Sequence, residues 1–308
     1  MTRAVVFAYH NVGVRCLAML LAHRVEVPLV VTHRDSPGEN LWFRSVAAFA
    51  AEHGLETAFP EDPNAPDFTA RVEALRPDFL FSFYYRRMLG ARLLAAPRRG
   101  ALNMHGSLLP KYRGRAPVNW AVIMGETETG ASLHFMTAKP DAGAVVAQQR
   151  VPILPDDTAR DVFDKVTVAA ELALDRVLPE LLAGRAAGVA QNLATGSYYG
   201  ARRAEDGRID WKKSAREIHN LVRGVAPPYP GAFASARGVP LRILRTRLEP
   251  ARAAPLPSPG LYAEGGRCYA DCASGGRLRL LELELDGRPA GAAELEARFG
   301  PGPVPLDS

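Results

Sequence analysis

Asn103 and His105 stand two residues apart at the end of the apolar run 101–104. On an extended strand such a pair projects to one face. An amide donor beside an imidazole can stabilise an oxyanion next to a group that moves protons. The same two side chains can also simply cap a strand end, and the spacing alone does not choose. The loop that follows carries Gly106, Pro110, Gly114 and Pro117. The pair would therefore sit at the carboxyl end of a strand, where open α/β sheets place their chemistry. Downstream, Lys139-Pro-Asp-Ala-Gly143 separates two more strand-like runs, 131–136 and 144–150. Asp141 in that turn could reach a histidine on a neighbouring strand end. It would then fix the imidazole tautomer and raise its pKa above about 6.5. An ordinary turn Asp before Ala-Gly is the plain alternative.

The elements that would position these residues follow an α/β pattern. Residues 4–9 form a continuous apolar run, as for a strand buried on both faces. A turn at 10–13, a helix over 14–23 and a strand over 25–32 complete a βαβ opening. A dinucleotide site would need three glycines in the first turn, and only Gly13 is present, which disfavours NAD. Asn11 either caps the helix or faces a ligand. Residues 35–39 read as a turn-rich loop and 41–53 as a helix with Trp42, Val46 and Phe49 in the core. A helix at 68–75, a buried strand at 78–84 and a helix at 90–96 follow. Helices are expected at 117–124 and 157–182. Arg202 and Arg203 either meet a diphosphate or are solvated linker residues. From Ile209 the pattern becomes short strands, at 232–236, 241–248, 260–263, 268–270 and 278–285, after a helix at 214–223. His219 in that helix reads as structural, and the Pro-rich tail from Gly300 as frayed. The expected architecture is a Rossmann-like, mostly parallel sheet over 1–190, a linker at 191–205 and a small β-rich, OB-like domain at 206–308.

Bulk composition narrows the class. With 47% hydrophobic and 23% charged residues the chain is an ordinary folded protein, not a disordered one. The net charge of +5 suits anionic ligands without selecting one. Cys16, Cys268 and Cys272 are too few, and too poor in neighbouring ligands, for a disulfide scaffold or a zinc site. No signal-peptide pattern and no long apolar run is present, so a cytoplasmic protein without membrane insertion is expected.

Taken together, Asn103-x-His105-x-Ser107-Leu-Leu-Pro110, Tyr112-Arg-Gly114 and Asp141-Ala-Gly143 resemble the folate-dependent formyltransferase family. The likeness runs through Val5-Val-Phe-Ala-Tyr-His10, Phe81-Ser-Phe-Tyr-Tyr-Arg86, Gly125-Glu-Thr-Glu-Thr-Gly130 and Pro230-Gly-Ala-Phe233. It is strongest to the formyltransferase part of the bifunctional aminoarabinose (polymyxin-resistance) enzymes. That resemblance implies transfer of a formyl group from N10-formyltetrahydrofolate to the 4-amino group of UDP-4-amino-4-deoxy-L-arabinose, a step of lipid A modification. Methionyl-tRNA formylation, or formylation of another nucleotide-linked amino sugar, is the alternative. The resemblance also assigns roles. Asn103 donates to the formyl oxygen, His105 moves protons and Asp141 orients His105. Arg87, Met88 and Leu89 line the pterin pocket, and Arg115 with Thr137, Ala138, Lys139, Pro140 and Asp141 completes the folate and reaction site. No metal and no NAD are implied. The tRNA-directed members carry an insertion near 41–53, and the short loop here argues against a nucleic-acid partner. A homo-oligomer is left open, and no decarboxylase domain is expected after Ser308.

Overall fold

The computed structural model describes every residue except Ser36, Pro37, Glu39, Pro255, Ser274 and Ser308. The turn-rich loop expected at 35–39 therefore lies mostly outside the described residues. The chain divides into two compact units, one of residues 1–117, 128–152 and 163–200, the other of 118–127, 153–162 and 201–308. Two segments inside the range expected for the first domain, 118–127 and 153–162, thus pack with the second unit. Residues 191–200, expected as linker, pack with the first.

The first unit is built on strands β1 (Arg3–Ala8), β2 (Glu26–Val31), β3 (Thr57–Ala58), β4 (Phe79–Phe83), β5 (Gly100–His105), β6 (Arg113–Gly114), β7 (Glu128–Phe135), β8 (Val145–Pro152) and β9 (Tyr198–Tyr199). Seven of them form one sheet in the order β3-β2-β1-β4-β5-β7-β8, and β6 pairs with β9 apart from it. The pairs from β3 to β5 are parallel, while β7 and β8 run antiparallel. β4 is wholly buried, as is β1 beyond its first residue, which is why both read as unbroken apolar runs. The chain works outward from β1 to β3 and then returns to β4. This reversal of strand order opens a crevice at the carboxyl ends of β1 and β4.

Helix α1 (His10–Ala22) starts four residues earlier than expected, so the anticipated turn is its first turn. Gly13 lets α1 lie close on β1, since a Cβ there would meet Val46 at 3.0 Å and the Ala8 Cβ at 3.1 Å. Helix α2 (Val46–Glu52) is shorter than the expected 41–53. Ser45 Oγ accepts from the Ala48 amide at 3.2 Å and starts the helix there. Trp42 and Phe43 lie before it and pack edge-on and tilted against His10, at 4.4 and 4.0 Å between ring centres. Helices α3 (Pro66–Ala74) and α4 (Ala91–Ala95) flank the sheet, followed by α5 (Pro117–Ile123) and the long α6 (Ala159–Leu182). Thr158 and Asp161 exchange reciprocal bonds at the start of α6. Among the described residues no helix is long and apolar enough to cross a membrane.

The second unit is an antiparallel half-barrel. Its helix α7 (Ala215–Val225) opens on a Ser214–Glu217 capping box. Strands β10 (Ala232–Ala236), β11 (Val239–Glu249), β12 (Gly260–Glu264), β13 (Arg267–Asp271), β14 (Arg277–Leu285), β15 (Arg288–Ala290) and β16 (Val304–Pro305) follow, with α8 (Ala292–Phe299) before the last. The order is β10-β11-β14-β13-β12-β16, with β15 beside β14. Trp211, Ile218, Val222, Ile243, Leu261 and Leu278 form its core. His219 is buried, with Nδ1 on Thr246 Oγ1 at 2.9 Å and Nε2–H donated to the Pro155 carbonyl at 3.0 Å. All three cysteines are buried free thiols. Helix α8 was not anticipated, although Glu294 reaching back to the Gly291 amide at 2.8 Å is a readable start signal.

The tail corrects another expectation. It is not frayed: β16 pairs with β12, and Ala236 bridges to Leu306, so the two edges of the sheet meet. Val304 is 2% and Leu306 9% exposed. Apolar burial outweighs the Pro-rich composition. Two such side chains contribute roughly 3 kcal/mol together. Deleting 304–308 should lower the unfolding free energy by about that amount in a urea titration. An unchanged midpoint would remove the tail from the fold.

Candidate active site

The antiparallel pairing of β5 with β7 sets Asn103 opposite His134, and His105 opposite Ser132. All four side chains share one face. The connection after β7 leaves beside Ala101, whose carbonyl accepts from the Met136 amide at 2.7 Å. It then folds back far enough for Asp141 Oδ1 to lie 3.6 Å from His105 Nδ1 and 3.5 Å from His134 Nε2. Asp141 takes the left-handed conformation, φ 51°, which Asp tolerates better than most residues. Its second oxygen accepts from the Gly114 amide at 2.8 Å. Gly114 is needed there: its φ is 97°, and a Cβ would stand 2.1 Å from the Tyr199 carbonyl.

Hydrogen bonds assign the protons. His105 Nε2 lies 2.7 Å from the Tyr112 carbonyl, which only accepts, so Nε2 carries the hydrogen. In the neutral ring the lone pair is then on Nδ1, facing Asp141. His134 Nδ1–H donates to the Phe135 carbonyl at 2.8 Å, which leaves its neutral Nε2 to accept from Asn103 Nδ2 at 3.2 Å. That spends one of the two Asn103 amide hydrogens and leaves the other for an oxyanion. The loop that presents Tyr112 is braced from behind. Ser132 Oγ donates to the Ser107 carbonyl at 2.6 Å and accepts from the Leu109 amide at 3.1 Å. Gln148 Nε2 donates to Ser132 Oγ and to the Leu109 carbonyl, both at 2.9 Å.

Electrostatics depart from the expectation for His105. Burial lowers its pKa; the Asp141 carboxylate and the Tyr112 carbonyl raise it, but by less, and His134 lowers it further. The net direction is below 6.5, so the ring is a neutral base at pH 7. Asp141 is the opposite case. Burial works against its carboxylate, yet His105, His134 and the Gly114 amide hold its pKa well below the usual range. The carboxyl titrates only in acid. At neutral pH the cluster therefore holds a carboxylate, a neutral base and a free amide hydrogen. That set can stabilise a developing oxyanion and move a proton.

Comparison with known proteins gives this cluster a family. The formyl transferase model matches residues 15–178 and the formyl transferase C-terminal domain model matches 202–298. The chain belongs to the formyl transferase family. Membership makes it a one-carbon group transferase. Among solved structures it is similar to an N-formyltransferase from Helicobacter canadensis in a complex with folinic acid and dTDP-3-aminofucose. The two share 20% identity over 91% of this chain and 99% of the other, with a TM-score of 0.73. A 4-N formyltransferase from Francisella tularensis matches at 18% identity over 75% of this chain and 91% of its own, TM-score 0.61. HypX from Aquifex aeolicus, in complex with tetrahydrofolic acid, matches at 16% over 96% of this chain and 47% of its own, TM-score 0.63.

The other candidate residues of this formyl transferase are placed as follows. Arg87 and Met88 are exposed at the carboxyl end of β4, while Leu89 is buried in the core. The Met88 carbonyl and the Gly90 amide are occupied by Asn64, at 3.0 and 2.6 Å. Arg115 Nη2 reaches the Arg86 carbonyl at 3.5 Å, so the 86–89 and 115 segments are neighbours. Thr137, Ala138 and Lys139 are exposed and Pro140 half-buried, leading into Asp141. Asn11 Oδ1 accepts from the Arg44 amide at 2.8 Å; it ties down the chain before α2 and does not cap α1, whose N-cap is Tyr9. Arg202 and Arg203 belong to the second unit, where Arg202 lies over Trp120 and the Arg203 amide donates to Asp206. Among the described residues no group of three or more His, Cys, Asp and Glu is arranged to hold a metal.

Sequence reasoning missed His134, Ser132, Gln148 and Gln191. Ser132-x-His134 repeats the two-residue polar spacing of Asn103-x-His105 inside an apolar run, and that was the available signal. An NMR titration should find the His105 imidazole below 6.5. Asp141→Asn removes a raising influence, so it should lower that pKa further. A rise in the variant would refute the charge arrangement.

Proposed function

We propose that the protein transfers the formyl group of N10-formyltetrahydrofolate to the amine of a nucleotide-linked amino sugar, with UDP-4-amino-4-deoxy-L-arabinose as the acceptor to test first. The observation that carries this reading is the convergence of Asn103, neutral His105 and ionised Asp141 in a chain of the formyl transferase family. The folate supplies the formyl carbon and leaves through N10. The exposed residues at 87–88 and 137–139, together with Arg115, offer it a surface beside this cluster. The acceptor class follows the nucleotide sugar held by the Helicobacter canadensis relative. The linkage to UDP and arabinose follows the motif resemblance.

The chemistry divides among the three side chains. As the amine nitrogen bonds to the formyl carbon, negative charge builds on the formyl oxygen. The second Asn103 amide hydrogen donates to it. Nδ1 of His105 accepts the proton lost by the attacking nitrogen and returns it to the departing N10. While His105 is charged, Asp141 stands 3.6 Å away to stabilise it. The Tyr112 carbonyl keeps the other ring nitrogen protonated throughout, so the reactive nitrogen is always Nδ1.

A mass assay with both substrates tests the reading. A gain of one formyl group on the sugar supports it. Formylation of a dTDP-linked amino sugar alone would keep the class and change the sugar, and formylation of methionyl-tRNA alone would overturn it. Asn103→Ala should lower kcat by roughly 10²–10³-fold. Wild-type turnover in His105→Ala would refute the proton-transfer role.

A further inference from the structure

One stretch, residues 189–199, touches both halves of the cluster. Val189 and Val145 exchange backbone bonds of 2.8 Å. Two residues later the Gln191 amide nitrogen donates to the carbonyls of Asp141 at 2.9 Å and Gly143 at 2.7 Å. The chain then turns to the other loop. Tyr112 N donates to Ser197 Oγ at 2.9 Å, Arg113 N to the Ser197 carbonyl at 3.0 Å and Arg115 N to the Tyr199 carbonyl at 2.9 Å. Tyr112 and Tyr199 stack with ring centres 5.4 Å apart. The carbonyl of that same Tyr112 anchors His105. A strap outside the catalytic strands thus joins the turn that carries the carboxylate to the loop that fixes the imidazole.

We propose that Gln191 is a positioning residue for formyl transfer. By donating both its amide hydrogens to the 141–143 turn, it holds Asp141 in the left-handed conformation that aims the carboxylate at His105. The proposal rests on the roles of Asp141 and His105 given above. Its physical basis is strain. A non-glycine residue at φ 51° is disfavoured and persists only where its surroundings over-determine it. The turn has few holds. One is the Gly114 amide on the carboxylate itself. Another is close packing at Gly143, where a Cβ would lie 1.9 Å from the Phe135 carbonyl. Gln191 is the hold that grips the main chain from the Asp141 carbonyl to the Gly143 carbonyl. Misplacing a reacting group by about 1 Å can cost about 100-fold in rate, so a clamp on this turn acts on turnover rather than on binding.

Gln191→Met keeps the length and removes the donors. Gln191→Lys restores a donor within reach of the same carbonyls. Both are made in the full chain beside Asp141→Asn, and the His105 imidazole is titrated by NMR in each. The groups facing that ring are Asp141, His134 and the Tyr112 carbonyl. Gln191→Met should lower the His105 pKa in the same sense as Asp141→Asn. In turnover, Gln191→Met should lower kcat roughly 10- to 100-fold with little change in either KM, and Gln191→Lys should recover most of it. A His105 titration unmoved by Gln191→Met but lowered by Asp141→Asn overturns the proposal. If both variants move the titration yet Asp141→Asn turns over normally, the functional reading fails while the clamp stands. Should Gln191→Met not fold, Gln191→Asn, which withdraws the amide by one methylene, decides: a lowered His105 titration supports the clamp, and an unmoved one in a folded protein overturns it.

Discussion

A carboxylate kept charged in a largely buried place is the constraint around which the first unit is arranged. The Asp141 side chain is 13% exposed, and an ion withdrawn from water must find donors or lose its charge. The fold brings three kinds of partner from distant parts of the chain. The Gly114 amide comes from the loop after β5, His105 from the end of β5 and His134 from β7. A charge-assisted bond such as that from Gly114 is worth about 1.5–3 kcal/mol, and its loss would leave a buried ion short of a donor. The Gly114–Tyr199 approach, the Asp141 backbone conformation and the two-stranded β6–β9 pairing all serve that one placement.

The change of strand direction at β7 is the topological counterpart. A sheet parallel throughout would not set Ser132 and His134 opposite His105 and Asn103 with their order reversed. The reversal concentrates four polar side chains on one face, the face that also carries the buried Phe7, Leu80 and Ala101, closed to water. The same dryness that makes the Asp141 interactions strong pulls the His105 pKa down. One environment therefore yields an ionised acid and a neutral base side by side, a combination suited to accepting a proton from an amine and passing it on.

The second unit answers a different constraint. Its central strands β11 and β14 alternate buried with less buried residues, and an open sheet built on them would leave both edges unpaired. The tail supplies the closing strand, and Ala236 meets Leu306 where the edges come together. Composition pointed to a frayed end because Pro and Gly dominate it, yet Val304 and Leu306 are the two residues that matter there. Helix α8 escaped notice for a related reason: it is short, Leu295 is its one buried residue, and its capping bond carries the start signal.

What the sequence by itself determined was local. The buried strands β1, β4 and β5 were legible as apolar runs, and Asn103 and His105 were legible as a same-face pair because a strand repeats every two residues. The motif order pointed to the family. Tertiary structure alone decided who meets whom and with what charge. Asp141 lies 36 positions after His105 and Gln191 lies 50 after Asp141, and no periodicity reports contacts across such separations. The direction of the His105 shift depended on burial against a nearby carboxylate, a balance set by packing density around the ring. The strap at 189–199 looked like linker because its own composition is polar and turn-prone. Its structure comes from the two loops it binds.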